Sequence, residues 1–131
     1  MILLDYRVNL NLDKHDIGST YLRYKKECIF DIVRKILVIK NPEEIIRQKV
    51  IRYLIKDLGV PKWCIEVEFP MSFFRQGAKG RADIIVQVID NDGKYKPVMI
   101  IECKAPNIIL TDKTWSQVIS YNSTTGAEIA V

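Results

Sequence analysis

At 131 residues, 48% apolar and 27% charged, the chain has the composition of one ordinary globular domain, which excludes a disordered or fibrous polymer. Its net charge of +4 and pI near 9.0 admit a polyanionic partner without demanding one. No apolar run approaches the roughly 20 residues of a membrane span. The opening Met1-Ile2-Leu3-Leu4-Asp5 lacks the basic start and cleavage site of a signal peptide.

Cys28, Cys64 and Cys103 are widely spaced and form no Cys-x-x-Cys pair, so reduced thiols and a cytoplasmic location are expected. The single histidine, His15, excludes zinc sites built on several histidines and argues against a histidine-based triad. It reads as a loop residue.

In chain order, Leu4, Tyr6, Val8, Leu10 and Leu12 alternate with polar residues, which predicts a half-buried strand. Residues 14–20 are polar and read as a turn. Residues 21–30 and 35–40 predict two more strands, broken at Asp31-Ile32-Val33-Arg34. Residues 1–40 are therefore expected to form a β-meander. No repeat, low-complexity tract or linker separates it from the rest, so residues 1–131 read as one domain, with the core in 41–131.

Asn41-Pro42-Glu43-Glu44 opens a helix: Asn41 can cap it, Pro42 suits the first position, and the acids face the positive end of the dipole. Ile46, Val50, Leu54 and Leu58, flanked by Ile51 and Ile55, form the expected apolar stripe, and Gly59 and Pro61 end it. Residues 64–69 alternate again, with Ile65, Val67 and Phe69 on one face and Glu66 and Glu68 on the other. Pro70 closes that strand. A loop over 71–80 carries Arg75 and Lys79 and reads as mobile and basic, with Phe73-Phe74 expected in the core and a stacking pair as the alternative.

Residues 82–89 and 98–104 are two apolar runs, and Asp90-Asn91-Asp92-Gly93 between them is a strong hairpin signal. The same stretch lacks the later acid that a calcium loop needs, so turn chemistry is preferred. A two-residue turn at Asp92-Gly93 would pair Asn91 with Lys94 and, counted outward, set Asp83 opposite Glu102, with Cβ atoms roughly 5 Å apart. Lys104 would share their face and Cys103 would point away. A bulge would spoil this register, and Pro97, which donates no ladder bond, is the candidate place for one.

Residues 105–110 connect to a helix capped at Thr111 or Asp112 and running to about Thr124. Its apolar face is Trp115, Val118 and Ile119, with Gln117 and Tyr121 along the flank. Residues 127–131 read as the start of another buried strand, cut short by the chain end.

Two opposed carboxylates repel unless one is protonated or a cation lies between them. Mg²⁺ takes one or two carboxylates together with water and phosphate oxygens, polarises a phosphoryl oxygen and lowers the pKa of bound water. Lys104 on the same face could position the water or stabilise charge on the phosphate. Arg75, Lys79 and Arg81 could grip phosphates nearby, although solvated loop charges explain them equally well. A surface salt bridge is the plain alternative for Asp83, Glu102 and Lys104 as a bare pattern. Their buried-type strands, the hairpin count and the capped helix beyond favour phosphodiester hydrolysis.

Asp83 followed by Glu102-Cys103-Lys104 resembles the core of the PD-(D/E)XK nuclease superfamily, with Ala82 where the pattern has its leading proline. Gln117-Val118-Ile119-Ser120-Tyr121 resembles the Gln-x-x-x-Tyr motif of certain branches. Pro42-Glu43-Glu44-Ile45-Ile46-Arg47-Gln48 with Leu58-Gly59 resembles the opening helix of the N-terminal nuclease domain of type I restriction enzyme R subunits. The resemblance covers about residues 29–131.

It implies an α/β restriction-endonuclease-like α-β-β-β-α-β core with a mixed sheet, preceded by the β-meander, with Mg²⁺ as cofactor and double-stranded DNA as substrate. Asp83 and Glu102 would then be metal ligands, Lys104 the catalytic lysine, and Gln117 and Tyr121 DNA-contacting or site-ordering residues. Glu44 would be the opening-helix acid, with Glu43 equally compatible and capping as the alternative role. No Gly-x-x-x-x-Gly-Lys-Ser/Thr stretch exists in the chain, so a translocation motor and sequence recognition would belong to other residues or subunits of a restriction complex. The alternatives are a catalytically silent nucleic-acid-binding or assembly module of the same fold, and a DNA-repair nuclease.

Overall fold

The computed structural model describes residues 2–3, 12–105, 112–113, 116–117, 120 and 129–130. Its regular elements are β1 (Ile2–Leu3), β2 (Thr20–Arg23), β3 (Lys26–Asp31), β4 (Ile36–Ile39), α1 (Pro42–Lys56), β5 (Ile65–Pro70), β6 (Arg81–Ile89), β7 (Tyr95–Ile101) and β8 (Ile129–Ala130). The fold is mixed α/β. One sheet has the order β1-β8-β7-β6-β5 and the other β2-β3-β4. The chain divides into two compact units, one of residues 1–8, 63–102 and 109–131, the other of residues 9–62 and 103–108.

In the second unit the meander is present over β2–β4, all antiparallel. It does not include β1, which pairs in parallel with β8 in the other sheet. The first expected strand lies mostly outside the described residues, since residues 4–11 are not among them.

The expected strand over residues 21–30 is in fact a hairpin, with Arg23 paired to Lys26. Tyr24 and Lys25 turn it at φ +50° and +63°. Two consecutive left-handed residues are the geometry of a type I′ turn, normally built from Asn-Gly. Tyr-Lys carries no such signal, so nothing in the pattern marks the turn.

The β3–β4 turn is organised by one side chain. Asp31 Oδ1 accepts from the Val33 N–H (2.8 Å) and the Arg34 N–H (2.9 Å), and the Lys35 N–H donates to the Asp31 carbonyl (2.7 Å). These bonds are the local competition with a strand ladder that Asp offers at turns.

Helix α1 begins as expected: Asn41 Oδ1 accepts from the Glu44 N–H at 2.8 Å, with Pro42 in the first turn. It ends with Gly59 at φ +69°, where the Val60 N–H reaches back to the Leu54 carbonyl (2.9 Å). Its buried face differs from the predicted stripe. Leu58 is exposed and Ile46 half-buried, whereas Glu44, Arg47, Gln48, Val50, Ile51, Arg52 and Leu54 are buried. The reason is polar pairing: Gln48 Nε2 donates to Asp31 Oδ2 (2.9 Å), so the helix turns a hydrogen-bonding face toward β3. His15 is also buried rather than a free loop residue, edge-on to Tyr53 and 3.5 Å from the Asp57 carboxylate.

In the first unit, β5, β6 and β7 form an antiparallel run with β6 in the middle. Ala82, Ile84, Ile85, Val86 and Gln87 are all buried, so both faces of β6 are covered at its centre. Met71, Ala82, Ile85 and Ile100 make the core here, with Phe69, Phe74 and Ala78 packed against them.

The loop over 71–80 is anchored, in contrast to the mobile loop expected. Met71 is fully buried and its N–H donates to the Gly80 carbonyl at 3.0 Å. Phe74 joins the core but Phe73 stays 67% exposed.

Candidate active site

The site is built on the β6–β7 hairpin. Its loop is one residue longer than the sequence count assumed. The Asp90 N–H donates to the Lys94 carbonyl (2.8 Å) and the Gly93 N–H to the Asp90 carbonyl (3.0 Å), leaving Asn91, Asp92 and Gly93 as the loop. Gly93 at φ +77° takes the left-handed position that ends a three-residue hairpin. The Asp90 carboxylate also accepts from the N–H groups of Asp92 and Lys94, both at 2.9 Å.

The register then shifts between Val86 and Gln87: Gln87 faces Pro97, but Val86 faces Met99, so Val98 is the extra residue of a bulge. The bulge falls beside Pro97 and cancels the longer loop. Beyond it Ile85 faces Ile100 and Ile84 faces Ile101. The ladder ends at the Ile84–Ile101 pair, in the register the count expected although the expected turn is replaced. Asp83 is the next residue on β6 and Glu102 the first residue after β7.

Both acids are half-buried, and Glu102 Oε1 lies beneath the surface. They sit at the ends of strands whose Ile84, Ile85, Ile100 and Ile101 are buried, and this burial holds the strand ends in place. On the other side of β6, Val67 faces Ile84 and Phe69 faces Ala82, so Glu68 is the β5 residue level with Asp83. Sequence alternation put Glu68 with Glu66 on one face of its strand but did not single it out. Its φ of +51° breaks the regular strand there. Among the described residues, no group of three or more His, Cys, Asp or Glu side chains could hold a metal ion.

Arg81 is exposed, two residues before Asp83 on β6 and therefore on the same face. Arg75 and Lys79 are exposed on the anchored 71–80 loop. Strand β7 ends at Ile101, three residues earlier than the expected 98–104 segment, so Glu102, Cys103 and Lys104 follow the ladder rather than belonging to it. Cys103 is buried and Lys104 half-buried. Asp112, Lys113, Ser116, Gln117 and Ser120 are helical, as predicted, with Gln117 half-buried. Tyr121, together with Trp115, Val118 and Ile119, lies outside the described residues.

Glu44 and Lys104 belong to the second compact unit, Asp83 and Glu102 to the first. In its own unit Glu44 is buried, and its Oε1 accepts from Arg34 Nη2 (3.0 Å) and Arg47 Nη1 (2.9 Å). Glu43 is half-buried and meets Arg47 Nη2 at 3.5 Å. Arg34 also donates through Nε to Asp31 Oδ2 at 2.6 Å.

Burial works against the Asp31 carboxylate, but the bonds from Arg34, Gln48 and the Val33 N–H outweigh it and hold its pKa below the ordinary 3.8. The Arg34 guanidinium is correspondingly favoured: burial opposes its charge, and Asp31 and Glu44 overcome that. Hydrophobic periodicity cannot register this network. The legible signal was the Asn-Pro-Glu-Glu start, which fixes where Glu44 sits on the helix.

A mixed sheet whose central hairpin ends in two neighbouring acids, in a chain that also carries a capped helix, defines a mixed α/β domain with a carboxylate-bearing strand end. Residues 42–131 match the family described as type I restriction enzyme R protein N terminus, and the chain belongs to that family. Membership ties it to a type I restriction system and to a nuclease-related enzyme family. No curated protein matches the chain. Among the described residues no helix is long and apolar enough to cross a membrane.

Proposed function

We propose that the chain is a Mg²⁺-dependent endonuclease domain that hydrolyses DNA phosphodiester bonds, on a PD-(D/E)XK core of the restriction-endonuclease type. The observation that carries the reading is the hairpin register, in which Ile84 faces Ile101, each one residue inward of an acid, Asp83 and Glu102. Two carboxylates are a donor set that suits Mg²⁺, which completes its shell with water and phosphate oxygens. When bound, the metal would polarise a phosphoryl oxygen and lower the pKa of a coordinated water.

Asp83 and Glu102 would hold it, fixed by the buried strands behind them. Lys104 would donate to the attacking water or to the phosphate as charge builds. Arg81, Lys79 and Arg75 would hold flanking phosphates, Gln117 and Tyr121 would contact DNA or order the site, and Glu44 would serve as the opening-helix acid, oriented by Arg34 and Arg47. The domain would act in the cytoplasm beside the other subunits of a restriction complex.

The test is cleavage of supercoiled plasmid by the full-length subunit in its complex with Mg²⁺, compared with Asp83→Asn, Glu102→Gln and Lys104→Ala. Cleavage by the unaltered protein that all three variants lose, with unchanged circular dichroism, is expected. Cleavage that survives Asp83→Asn and Glu102→Gln overturns the assignment.

A second reading, a catalytically silent DNA-binding or assembly module, is favoured by one observation: the Glu44 carboxylate is already engaged by two arginines. That reading requires DNA affinity without cleavage, and affinity indifferent to all three substitutions.

A further inference from the structure

The meander carries a charged tip that the candidate site does not use. Residues 21–27 are all exposed, and Tyr24 at 87% is presented almost entirely to solvent. Arg23, Lys25 and Lys26 surround it, and no acid occurs between Asp16 and Glu27. The Arg23 guanidinium lies 5.6 Å from the centre of the Tyr24 ring, which pre-orders cation and aromatic together. A cavity of about 300 Å³ is lined by Arg23, Tyr24, Lys26, Cys28, Leu37 and Ile39, two cations beside an aromatic ring, a thiol and two aliphatic side chains.

The turn itself is unfavourable for its residues: both Tyr24 and Lys25 are left-handed, a conformation that a side chain disfavours and Asn-Gly accepts readily. Backbone held in a disfavoured region is found more often at binding and switch sites than elsewhere, and here it carries an exposed aromatic and a cation.

We propose that the β2–β3 hairpin is a DNA-backbone contact separate from the candidate active site. Arg23, Lys25 and Lys26 pair with phosphates, and Tyr24 lies against a sugar or base face. The charge decides the partner: three cations with no intervening acid complement a polyanion, and an aromatic among them suits the stacking surfaces of nucleic acid. The proposal rests on the reading of the chain as a DNA-acting domain, but not on its chemistry, since none of these residues is assigned to hydrolysis.

The experiment measures binding of the 131-residue chain to a short fluorescein-labelled duplex by anisotropy, in EDTA, over a range of salt. Two variants are compared with it, Arg23→Gln/Lys25→Gln/Lys26→Gln and Tyr24→Asn/Lys25→Gly. Each phosphate contact contributes about 0.9 to the slope of log K against log salt, so the triple variant is expected to bind with a slope shallower by about 2 to 3. The double variant is expected to melt at a higher temperature than the parent chain, because Asn-Gly fits the turn, yet to bind DNA more weakly.

Unchanged affinity and slope in both variants overturn the proposal, as does absence of duplex binding by the parent chain or equal displacement of the duplex by polyglutamate. Plasmid cleavage separates the two readings. Variants that bind normally while the parent protein cleaves sink the hairpin alone. Weakened variants beside a parent protein that never cleaves uphold the hairpin and sink the nuclease.

Discussion

Asp31→Ala tests whether the polar face of α1 holds its unit together. The side chain is fully buried and accepts four hydrogen bonds: from the N–H groups of Val33 and Arg34, from Arg34 Nε and from Gln48 Nε2. Bonds to a charged acceptor are worth roughly 1.5–3 kcal/mol each, but four that share one carboxylate do not add. Removing one partner of a buried pair costs about 3–5 kcal/mol, and since the Arg34 side chain retains 18% exposure and its bond to Glu44, the lower end applies, about 3 kcal/mol.

With a urea slope of about 2 kcal/mol/M, the unfolding midpoint of the 131-residue chain should fall by about 1.5 M. The pH dependence follows from the depressed carboxyl pKa. Its charge contributes stability that is fully present above the ordinary 3.8 and is lost as pH falls through the lower folded value. The stability gap between the parent chain and Asp31→Asn should therefore stay constant from neutral pH down to about 5, then close below about 4. A midpoint shift under about 0.5 M for Asp31→Ala, or a gap equally wide at pH 3 and 7, refutes the network as a stabilising element.

Other perturbations probe the hairpin and core. Gly93→Ala adds a Cβ that meets nothing within 4 Å, so its cost is the left-handed φ of +77° alone, about 1 kcal/mol by urea unfolding. Ile85→Ala, fully buried at the centre of β6, should cost about 3–4 kcal/mol, and a loss under 1 would mean the core is not where the structure puts it. Gln87→Leu should raise stability by about 1 kcal/mol, because Gln87 is buried opposite Pro97 with its Oε1 lacking a protein hydrogen bond. A loss of stability on that change would point to a bound water there.

Much of this structure is legible from local rules. The Asn41 cap, the Pro42 start and Gly59 stop of α1, the strands over 65–70 and 81–89, and the helical state of Gln117 all follow from side-chain chemistry that acts within a few residues. The misses have a common cause in contacts made at a distance. Leu58 matches the apolar period yet is exposed, while Glu44, Arg47 and Gln48 break the period yet are buried, because Asp31 and Arg34 on and after β3 supply partners for Gln48 and Glu44, and Glu44 in turn pairs with Arg47. Tyr24-Lys25 turns a hairpin without a turn residue, a choice the local code disfavours. Ile2–Leu3 leaves the meander for β8, more than a hundred residues away, a pairing that no window along the sequence contains.

The relation between Asp83 and Glu102 shows why a simple count could succeed by a route other than the one assumed. An even number of residues, 84 to 101, separates the two acids. Direct opposition therefore needs either an even loop and regular strands, or an odd loop with one extra residue somewhere in the ladder. The chain takes the second course, with Asn91-Asp92-Gly93 as the loop and Val98 as the extra residue. Two features choose it. The Asp90 carboxylate binds the Asp92 and Lys94 N–H groups and so favours the longer loop, and Pro97 cannot donate to the ladder and so draws the bulge to its side. Neither irregularity lies beyond Val86 and Met99, so the pairs nearest the acids are regular. A one-residue slip there would carry buried Ile84, Ile85, Ile100 and Ile101 to opposite faces, so burial of four isoleucines, rather than the turn, fixes the register of the strand ends from which Asp83 and Glu102 continue.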